Sequence, residues 1–446
     1  MTNTGNEKDG SKPSITNESE EQSHQTSTSH EMNRFLLLAD VKEKNNLMNL
    51  TKLDIFNGGI SHLPNELPQT LPKLQTLFLM KNKFATVPAI IGSCKHLDMV
   101  SFKSNQIQSI DPDALQSQMR WLILTNNQIT SIPSTIGRCS RLQKFMLSGN
   151  QIASLPQEIE CCENLELIRI ASNKLQEPPM SLLTLPNLGW IALSDNPFLN
   201  NSFDPTMKQL GKLHILDIPD DVGDVLGKGA SGVTRKVPYQ NQYVAVKQYS
   251  SEITSDGNPF EERRATLAAS VIGSPCIVPL LGQNQNGSLI MKLITNYFVL
   301  GNPPSMKSCT RDVYDDTVQL TFMEAIAIAT KLANVLAQLH DIGLSHGDFY
   351  SHNIIVTKDD KTDIKLTDFG AAFFYDKESI YGKLVQKIEM RAFGHFVEEL
   401  IMLVNRGQNA SIPSENCLHE VVDICLSNNK TEHHFVDLVQ ILQKEK

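Results

Sequence analysis

The sequence lacks cysteine pairs at the spacing of metal or redox sites, although it contains eight cysteines. Without a CxxC pair it indicates neither a zinc ribbon nor a dithiol redox centre. It also lacks a run of about 18 apolar residues and a charged-then-apolar N-terminal pattern, so we expect no membrane span and no secretory signal. Unpaired thiols in a chain without a signal favour a reducing, cytoplasmic location.

Positive charge is scarce relative to negative charge. The chain has 40 Lys and Arg residues against 49 Asp and Glu residues, which gives a formal net charge of −9. This balance predicts no general basic surface for nucleic acid. The 446 residues, 40% of them hydrophobic, are enough for about two to four domains with packed cores.

The first 33 residues have few large apolar side chains. Only Met1, Ile15 and Met32 are of this kind, among many Ser, Thr, Asn, Glu and Gln residues. Such a segment cannot bury enough surface to offset its ordering entropy, so residues 1–33 are predicted to be disordered. Residues 34–47, which contain a cluster of leucines, are predicted to form a short helical cap.

Residues 48–200 repeat a single pattern. Leu74-x-x-Leu77-x-Leu79-x-x-Asn82 is followed by a similar stretch that ends at Asn105, and the asparagine then recurs every 22 or 23 residues up to Asn196. This is the leucine-rich-repeat signature, and with an imperfect first copy we count about seven repeats. The pattern predicts a solenoid in which each repeat adds a short strand and its asparagine bonds backbone groups in an internal ladder.

The strand residues between the core leucines are predicted to face the concave side of this solenoid. They are apolar, aromatic and basic, and they include both tryptophans of the chain. Exposed aromatic groups on a curved surface favour a protein substrate or partner there, although the tryptophans could instead only cover repeat edges. The predicted concave residues are Phe78, Met80, Met99, Lys103, Trp121, Ile123, Thr125, Lys144, Met146, Arg169, Trp190 and Ala192.

Residues 201–220 depart from the repeat pattern and are predicted to form a cap and linker. Leu213, Ile215 and Leu216 are the apolar residues that we expect to close the open end of the solenoid core. The remaining residues, 221–446, are predicted to form a second domain.

This second domain contains a set of residues typical of phosphoryl transfer. Asn353 follows Asp348 by five residues, and Asp368 comes later in Asp368-Phe369-Gly370. Asp348 can accept or orient a hydroxyl proton, while Asn353 and Asp368 offer hard oxygens for Mg²⁺. Strands over 354–356 and 364–366 are predicted to form the hairpin that holds these residues.

A glycine-rich segment lies upstream of these residues. Gly227, Gly229 and Gly232 would let the backbone close over phosphates, and Lys247 follows fifteen residues after the last glycine in a predicted strand.

A strand lysine in this setting needs a carboxylate on the next predicted helix, around residues 260–268. We choose Glu262, with its neighbour Glu261 as the alternative. Either acid could instead be favoured there by the helix macrodipole.

These segments, in this order, resemble the protein kinase family, with its glycine-rich loop, strand lysine, H-R-D-x-x-x-x-N loop and D-F-G motif. Together with the repeats, they resemble bacterial-type soluble leucine-rich-repeat protein kinases with an H-G-D-x-Y-x-H-N loop. The resemblance covers about residues 48–446 and implies ATP-dependent phosphorylation of Ser or Thr, with ATP and Mg²⁺ as cofactors. The implied fold is α/β: a leucine-rich-repeat solenoid followed by an α+β, two-lobed kinase-like domain with a shortened C-lobe.

The resemblance also implies roles for individual residues. Asp348, Lys247 and Glu262 would be catalytic, and Asn353 and Asp368 would hold the metal. Met291 would be the gatekeeper of the nucleotide pocket, before a hinge at 292–294. The residues implied to bind the nucleotide are Leu226, Gly227, Gly229, Gly232, Ala245, Lys247, Met291 and Leu293.

The sequence departs from the family pattern at several positions. Gly347 replaces the usual arginine before the catalytic aspartate, Tyr350 replaces the usual lysine two residues after it, and Thr234 replaces a valine of the glycine-rich loop. The stretch 389–394 resembles the start of the large C-lobe helix. Two alternatives to a protein kinase remain open: a nucleotide-binding scaffold without catalysis, and a small-molecule phosphotransferase, which also uses a His-Gly-Asp loop.

Overall fold

The structure is a computed structural model, and it shows a solenoid followed by a two-lobed domain. Most of the tail that we predict to be disordered, together with much of the predicted cap and linker at 201–220, lies outside the described residues. The described residues are 30–39, 44–199, 213–229, 231–250, 253–407, 416–427 and 433–444.

The N-terminal cap begins earlier than predicted. Helix α1 spans His30–Leu38, so it starts within the predicted tail, and a 3₁₀ helix follows at Lys44–Asn49. Met32, Phe35 and Leu36 are buried against the first repeats, which explains why the cap needs these residues.

The solenoid contains seven parallel strands in its main sheet, one for each predicted repeat. The sheet order is β1-β2-β4-β6-β7-β8-β9, and β3 pairs separately with β5. These strands are β1 (Lys52–Asp54), β2 (Thr76–Phe78), β3 (Thr86–Val87), β4 (Met99–Ser101), β5 (Ser109–Ile110), β6 (Trp121–Ile123), β7 (Lys144–Met146), β8 (Leu167–Arg169) and β9 (Trp190–Ala192).

Short helical segments connect the strands on the convex side. The α-helical ones are α2 (Leu67–Thr70) and α3 (Met180–Leu183). The 3₁₀ helices are Ala89–Ser93, Pro112–Ala114, Ser134–Arg138, Gln157–Cys161 and Pro197–Leu199.

The predicted asparagine ladder is confirmed. In the fifth repeat the Asn150 side chain donates to the carbonyls of Leu124 (3.0 Å) and Leu147 (2.8 Å) and accepts from the backbone N–H of Ile129 (3.0 Å). Equivalent bonds recur at the other repeat asparagines, such as Asn173. Each asparagine thus pairs backbone groups that the turn would otherwise leave buried and unbonded.

We expect Asn150→Ala to lower the free energy of unfolding by about 3 kcal/mol, because three buried backbone groups lose their partner. Urea denaturation followed by circular dichroism would measure the change. Asn164→Ala is the matched control, since the exposed Asn164 makes a single bond to the Ser140 carbonyl. It should cost less than about 1 kcal/mol; an equal loss in both variants would contradict the ladder's role.

The second domain begins with a small lobe built on one antiparallel sheet. Its strand order is β10-β11-β12-β14-β13. One helix, α4 (Pro259–Val271), packs beside it, and Asn258 caps this helix by accepting from the backbone N–H of Phe260. The strands are β10 (Asp224–Gly229), β11 (Gly232–Tyr239), β12 (Gln242–Tyr249), β13 (Leu280–Gln283) and β14 (Leu289–Lys292).

The large lobe is mainly helical in its described residues, and it holds two small antiparallel sheets. The predicted hairpin is confirmed as β17 paired with β18, and β15 joins the same sheet, while β16 pairs with β19. The strands are β15 (Tyr297–Val299), β16 (Leu344–Ser345), β17 (Ile354–Thr357), β18 (Ile364–Leu366) and β19 (Phe373–Phe374). The helices are α5 (Phe322–Asp341), α6 (Ile380–Gly407), α7 (Cys417–Leu426) and α8 (Phe435–Gln443).

Helix α5 is the core helix of the large lobe. It starts at a capping box in which the Thr321 hydroxyl and the Glu324 carboxylate each accept from the other residue's backbone N–H. By length and composition alone α5 would be long and apolar enough to cross a membrane, and 56% of its apolar window is buried inside the protein. Helix α6 begins at Ile380, so the prediction that it starts near Glu389 is wrong, and Glu389 lies inside it.

The C-terminal end of the solenoid is closed by the second domain. Four residues from β19, the position after it and α6 belong to the same apolar core as the repeats: Phe373, Tyr375, Val385 and Ile388. Phe198 packs edge-on against Tyr381 of α6 at the same end. A solenoid end exposes the apolar face of its last repeat, and here a long helix covers it.

The prediction that Leu213, Ile215 and Leu216 close the solenoid is therefore wrong. Ile215 is exposed, and it forms an isolated bridge with Gln283 of the small lobe. Leu216 packs against the apolar cluster of the small-lobe sheet instead. With α6 already on the solenoid end, this segment is free to extend the small-lobe sheet.

Candidate active site

A lysine–glutamate ion pair marks the back of the cleft between the lobes. The Lys247 ammonium on β12 contacts Glu262 Oε1 on α4, and the Glu262 side chain is only 1% exposed. Burial lowers the pKa of Lys247, but Glu262, Tyr249 and Asp368 together outweigh it and raise that pKa above its ordinary value. Of the two acids left open by the sequence, Glu261 pairs with Arg264 on the surface of α4.

The loop between β16 and β17 places Asp348 and Asn353 side by side. The Asn353 amide donates to the Asp348 backbone carbonyl (2.9 Å) and to Asp348 Oδ2 (3.1 Å). The Thr367 backbone N–H donates to the Asn353 carbonyl (2.8 Å), which holds the start of the Asp368-Phe369-Gly370 segment beside this loop. Asp368 itself has a left-handed backbone, with φ of 59°.

One cavity of about 320 Å³ runs between the lobes. Seven of the predicted site residues line it: Leu226, Ala245, Lys247, Glu262, Met291, Leu293 and Asp368. Its further lining includes the apolar residues Ile277, Val278 and Leu366, so the cavity combines apolar walls with the ion pair and a carboxylate. Such a cavity suits a flat ring with a charged tail.

The three predicted glycines stand apart from the lining of this cavity. They lie on the β10–β11 hairpin, and the lining from that hairpin consists of Leu226 and Thr234 among the residues that the structure describes. Gly227 and Gly229 have open space where a Cβ would stand, whereas a Cβ at Gly232 would meet the Gln248 carbonyl oxygen at 2.0 Å. Gly232 is therefore required for strand packing, independently of any ligand.

The donor set fits a nucleotide with Mg²⁺. Asp368 supplies a carboxylate and Asn353 an amide oxygen, which are the hard ligands that Mg²⁺ prefers. Among the described residues no group of three or more His, Cys, Asp or Glu side chains forms a metal cage. A metal held by two side chains needs further oxygens from phosphate and water, as is usual for Mg²⁺ in phosphoryl transfer.

The concave face of the solenoid covers the loop between β16 and β17, which is the predicted catalytic loop. The sequence did not predict this contact. Trp190 donates its indole N–H to the Phe349 carbonyl (2.9 Å), and its ring stacks on Tyr350 with centroids 4.5 Å apart. Trp121 donates to the Cys309 sulfur, and Glu166 binds Arg311 at 2.9 Å. Met146, Leu167 and Trp190 join the core of the large lobe.

The sequence pattern places Arg169 on the concave face but does not show its contact with Asp348. Its guanidinium contacts Asp348 Oδ1, donates to the Gly347 carbonyl (3.1 Å) and pairs with Asp256 at 2.9 Å. Burial lowers the pKa of Arg169, but the carboxylates of Asp348 and Asp256 outweigh it and raise that pKa. The only signal in the sequence was a lone arginine among the predicted concave residues.

The docked solenoid also accounts for two departures from the family pattern. Gly347 has φ of +72°, and a Cβ there would meet the carbonyl oxygens of Ile191 at 2.5 Å and Ala371 at 2.6 Å. A side chain at this position would thus collide with β9. The Gly347 backbone N–H donates to Glu389 of α6 (2.7 Å). The second departure, Tyr350, is buried under the ring of Trp190.

A buried carboxyl beneath the catalytic loop should make stability depend on pH. Burial raises the pKa of Glu399 to about 7, while its carboxylate accepts from Tyr314 and Ser351. The unfolded chain loses this proton near pH 4.5, so stability should fall as pH rises from about 4.5 through 7, by up to about 3 kcal/mol. Glu399→Gln should have the same melting temperature as wild type at pH 5 and a higher one than wild type at pH 8. If the two proteins melted at the same temperature at pH 8 as well, the prediction would be contradicted.

Comparison with known proteins finds similarity in both the solenoid and the two-lobed domain. Residues 221–392 match the family model of the protein kinase domain, and residues 117–175 match that of the leucine-rich repeat. Over these two segments the chain is similar to the protein kinase domain and to the leucine-rich repeat, respectively.

Curated relatives match part of the chain. A Dictyostelium discoideum protein named as a probable LIM domain-containing serine/threonine-protein kinase is 30% identical over 35% of this chain and 16% of its own length. A probable serine/threonine-protein kinase of Clostridium acetobutylicum is 30% identical over 34% and 22%, respectively. Calcium-dependent protein kinase 27 of Arabidopsis thaliana is 23% identical over 43% and 38%. The chain thus spans well under half the length of these relatives.

Proposed function

We propose that this chain transfers the γ-phosphate of ATP to serine or threonine side chains of a protein. The observation that carries the proposal is the Lys247–Glu262 ion pair on the wall of the same cavity as Asp368. Asp348 and Asn353 bond to each other on the adjoining loop. The names of the relatives, which are serine/threonine-protein kinases, support the acceptor class.

Each group has a role that its position suits. The apolar lining of the cavity, including Met291 and Leu293, holds the base of the nucleotide, and Lys247 binds its phosphates. Asn353 and Asp368 would hold Mg²⁺, which would neutralise charge on those phosphates. Asp348 orients the acceptor hydroxyl and accepts its proton.

A protein partner would bind the N-terminal repeats rather than the whole concave face. The concave strand residues from Met99 to Ala192 are largely buried, and several of them contact the chain's own second domain. Phe56 is exposed at the first repeats, with the Lys81 ammonium 5.6 Å from its ring centroid. The eight cysteines all lie among the described residues, where none of them forms a disulfide and seven are buried, which is consistent with the cytoplasmic location that we propose.

The direct test is incubation with Mg·ATP and a generic basic acceptor protein, followed by mass spectrometry of the phosphorylated sites. We expect phosphoserine and phosphothreonine on the acceptor or on the chain itself. Phosphate transferred only to small molecules would favour a small-molecule phosphotransferase. Nucleotide binding without any transfer would indicate a scaffold and overturn the proposal.

A further inference from the structure

We propose that Arg169 of the solenoid is a positioning residue of the phosphoryl-transfer site, so that the leucine-rich repeats complete the active site. This inference rests on the proposed function and deepens it. The repeats would then act on the chemistry itself, in addition to any partner that they bind.

The first argument is the way in which the Asp348 carboxylate is held. Arg169 contacts Oδ1, while Asn353 donates to Oδ2 at 3.1 Å. Two donors on different oxygens fix the plane of the carboxylate, which neither could do alone. Each oxygen has two acceptor positions, so both partners together leave room for a substrate hydroxyl.

The second argument is that Asp348 keeps an open side. Its side chain is 18% exposed, whereas the Arg169 side chain is 3% exposed. The guanidinium thus approaches from the buried side of the loop, and the acceptor can approach from the solvent side. A contact that plugged the site would leave the carboxylate fully buried instead.

The third argument is that Arg169 also reaches the small lobe. It pairs with Asp256, two residues before the Asn258 cap of α4, the helix that carries Glu262. This loop rests on the solenoid, because a Cβ at Gly257 would meet Ser194 Oγ at 2.9 Å. One buried guanidinium therefore links the catalytic loop to the segment that sets the position of the ion pair.

The experiment compares steady-state transfer by full-length wild type, Arg169→Ala, Arg169→Lys and Arg120→Ala. Rates are divided by the number of nucleotide sites, titrated with a fluorescent ATP analogue, so that loss of folded protein does not count. Arg120→Ala is the matched control: Arg120 lies on the same face and donates to the Met306 carbonyl of the second domain at 2.9 Å.

We expect Arg169→Ala to lower kcat per site on the order of 10²-fold with KM for ATP nearly unchanged, because Asp348 is held more loosely while the nucleotide cavity is intact. Arg169→Lys should recover part of the rate, since it keeps the charge but not the planar fork. Arg120→Ala should behave as wild type.

Three results would overturn the inference. Equal kcat in Arg169→Ala and wild type would show that the contact is only structural, and faster transfer in Arg169→Ala would show that the solenoid restrains the site. An equal loss in Arg120→Ala would assign the effect to docking in general. If wild type binds nucleotide but transfers no phosphate, the proposed function itself fails. This outcome is distinct from the other three, because it concerns the wild type and not the Arg169 variants.

Discussion

Asp348→Asn should lower the rate of γ-phosphate transfer on the order of 10³-fold, the range in which a positioned proton acceptor contributes to catalysis. The amide keeps the shape of the side chain but cannot accept the hydroxyl proton. Nucleotide binding should persist, because Asp348 lies outside the residues that line the cleft cavity. The measurement is transfer from labelled ATP with Mg²⁺ to a basic acceptor protein, with nucleotide affinity determined in parallel.

The matched control is Asp341→Asn, at the end of α5. Asp341 is an exposed aspartate that pairs with Lys377 on the surface. It should leave transfer unchanged. If Asp348→Asn transferred phosphate as fast as this control, another group would have to orient the acceptor.

Lys247→Met should abolish transfer and also destabilise the second domain. Lys247 would lose its contact with the phosphates, and the Glu262 carboxylate, 1% exposed, would be left buried without its cation. Removing one partner of such a pair costs about 3 kcal/mol or more. Thermal unfolding without nucleotide would measure this loss, and ATP titration would measure the loss of binding.

The double variant Lys247→Met/Glu262→Gln separates the two effects. It removes both charges, so much of the stability should return, while transfer should stay absent because the phosphates still lack their cation. If the double variant were as unstable as Lys247→Met alone, the loss of stability could not come from the unpaired buried charge of Glu262. Recovery of transfer would contradict the role of Lys247.

Local patterns were enough to predict much of this protein. The seven solenoid strands, the ladder through residues such as Asn150 and the β17–β18 hairpin follow from periodicity and spacing within short stretches. The choice of Glu262 over Glu261 agrees with the structure, because Glu262 contacts Lys247 while Glu261 pairs with Arg264. These features depend on neighbours that are close in sequence or on a helix face.

Local sequence patterns do not predict how the two domains dock against each other. Arg169 looks like a surface charge on a concave strand, and its partner Asp348 lies 179 residues further along the chain. Gly347 departs from the family pattern, and the sequence alone does not show that β9 packs against it and leaves no room for a side chain. Leu213 and its neighbours were assigned to the solenoid end because the sequence does not show that α6 occupies it.

The central claim is that the concave face of the solenoid closes over the catalytic loop, and tryptophan fluorescence tests it most directly. The chain has two tryptophans, Trp121 and Trp190, which are 8% and 2% exposed at this interface. If the domains are docked, acrylamide should quench the native emission weakly compared with the emission of the chain in denaturant. Native emission quenched as strongly as that of the unfolded chain would show that the concave face is open, and would contradict this account.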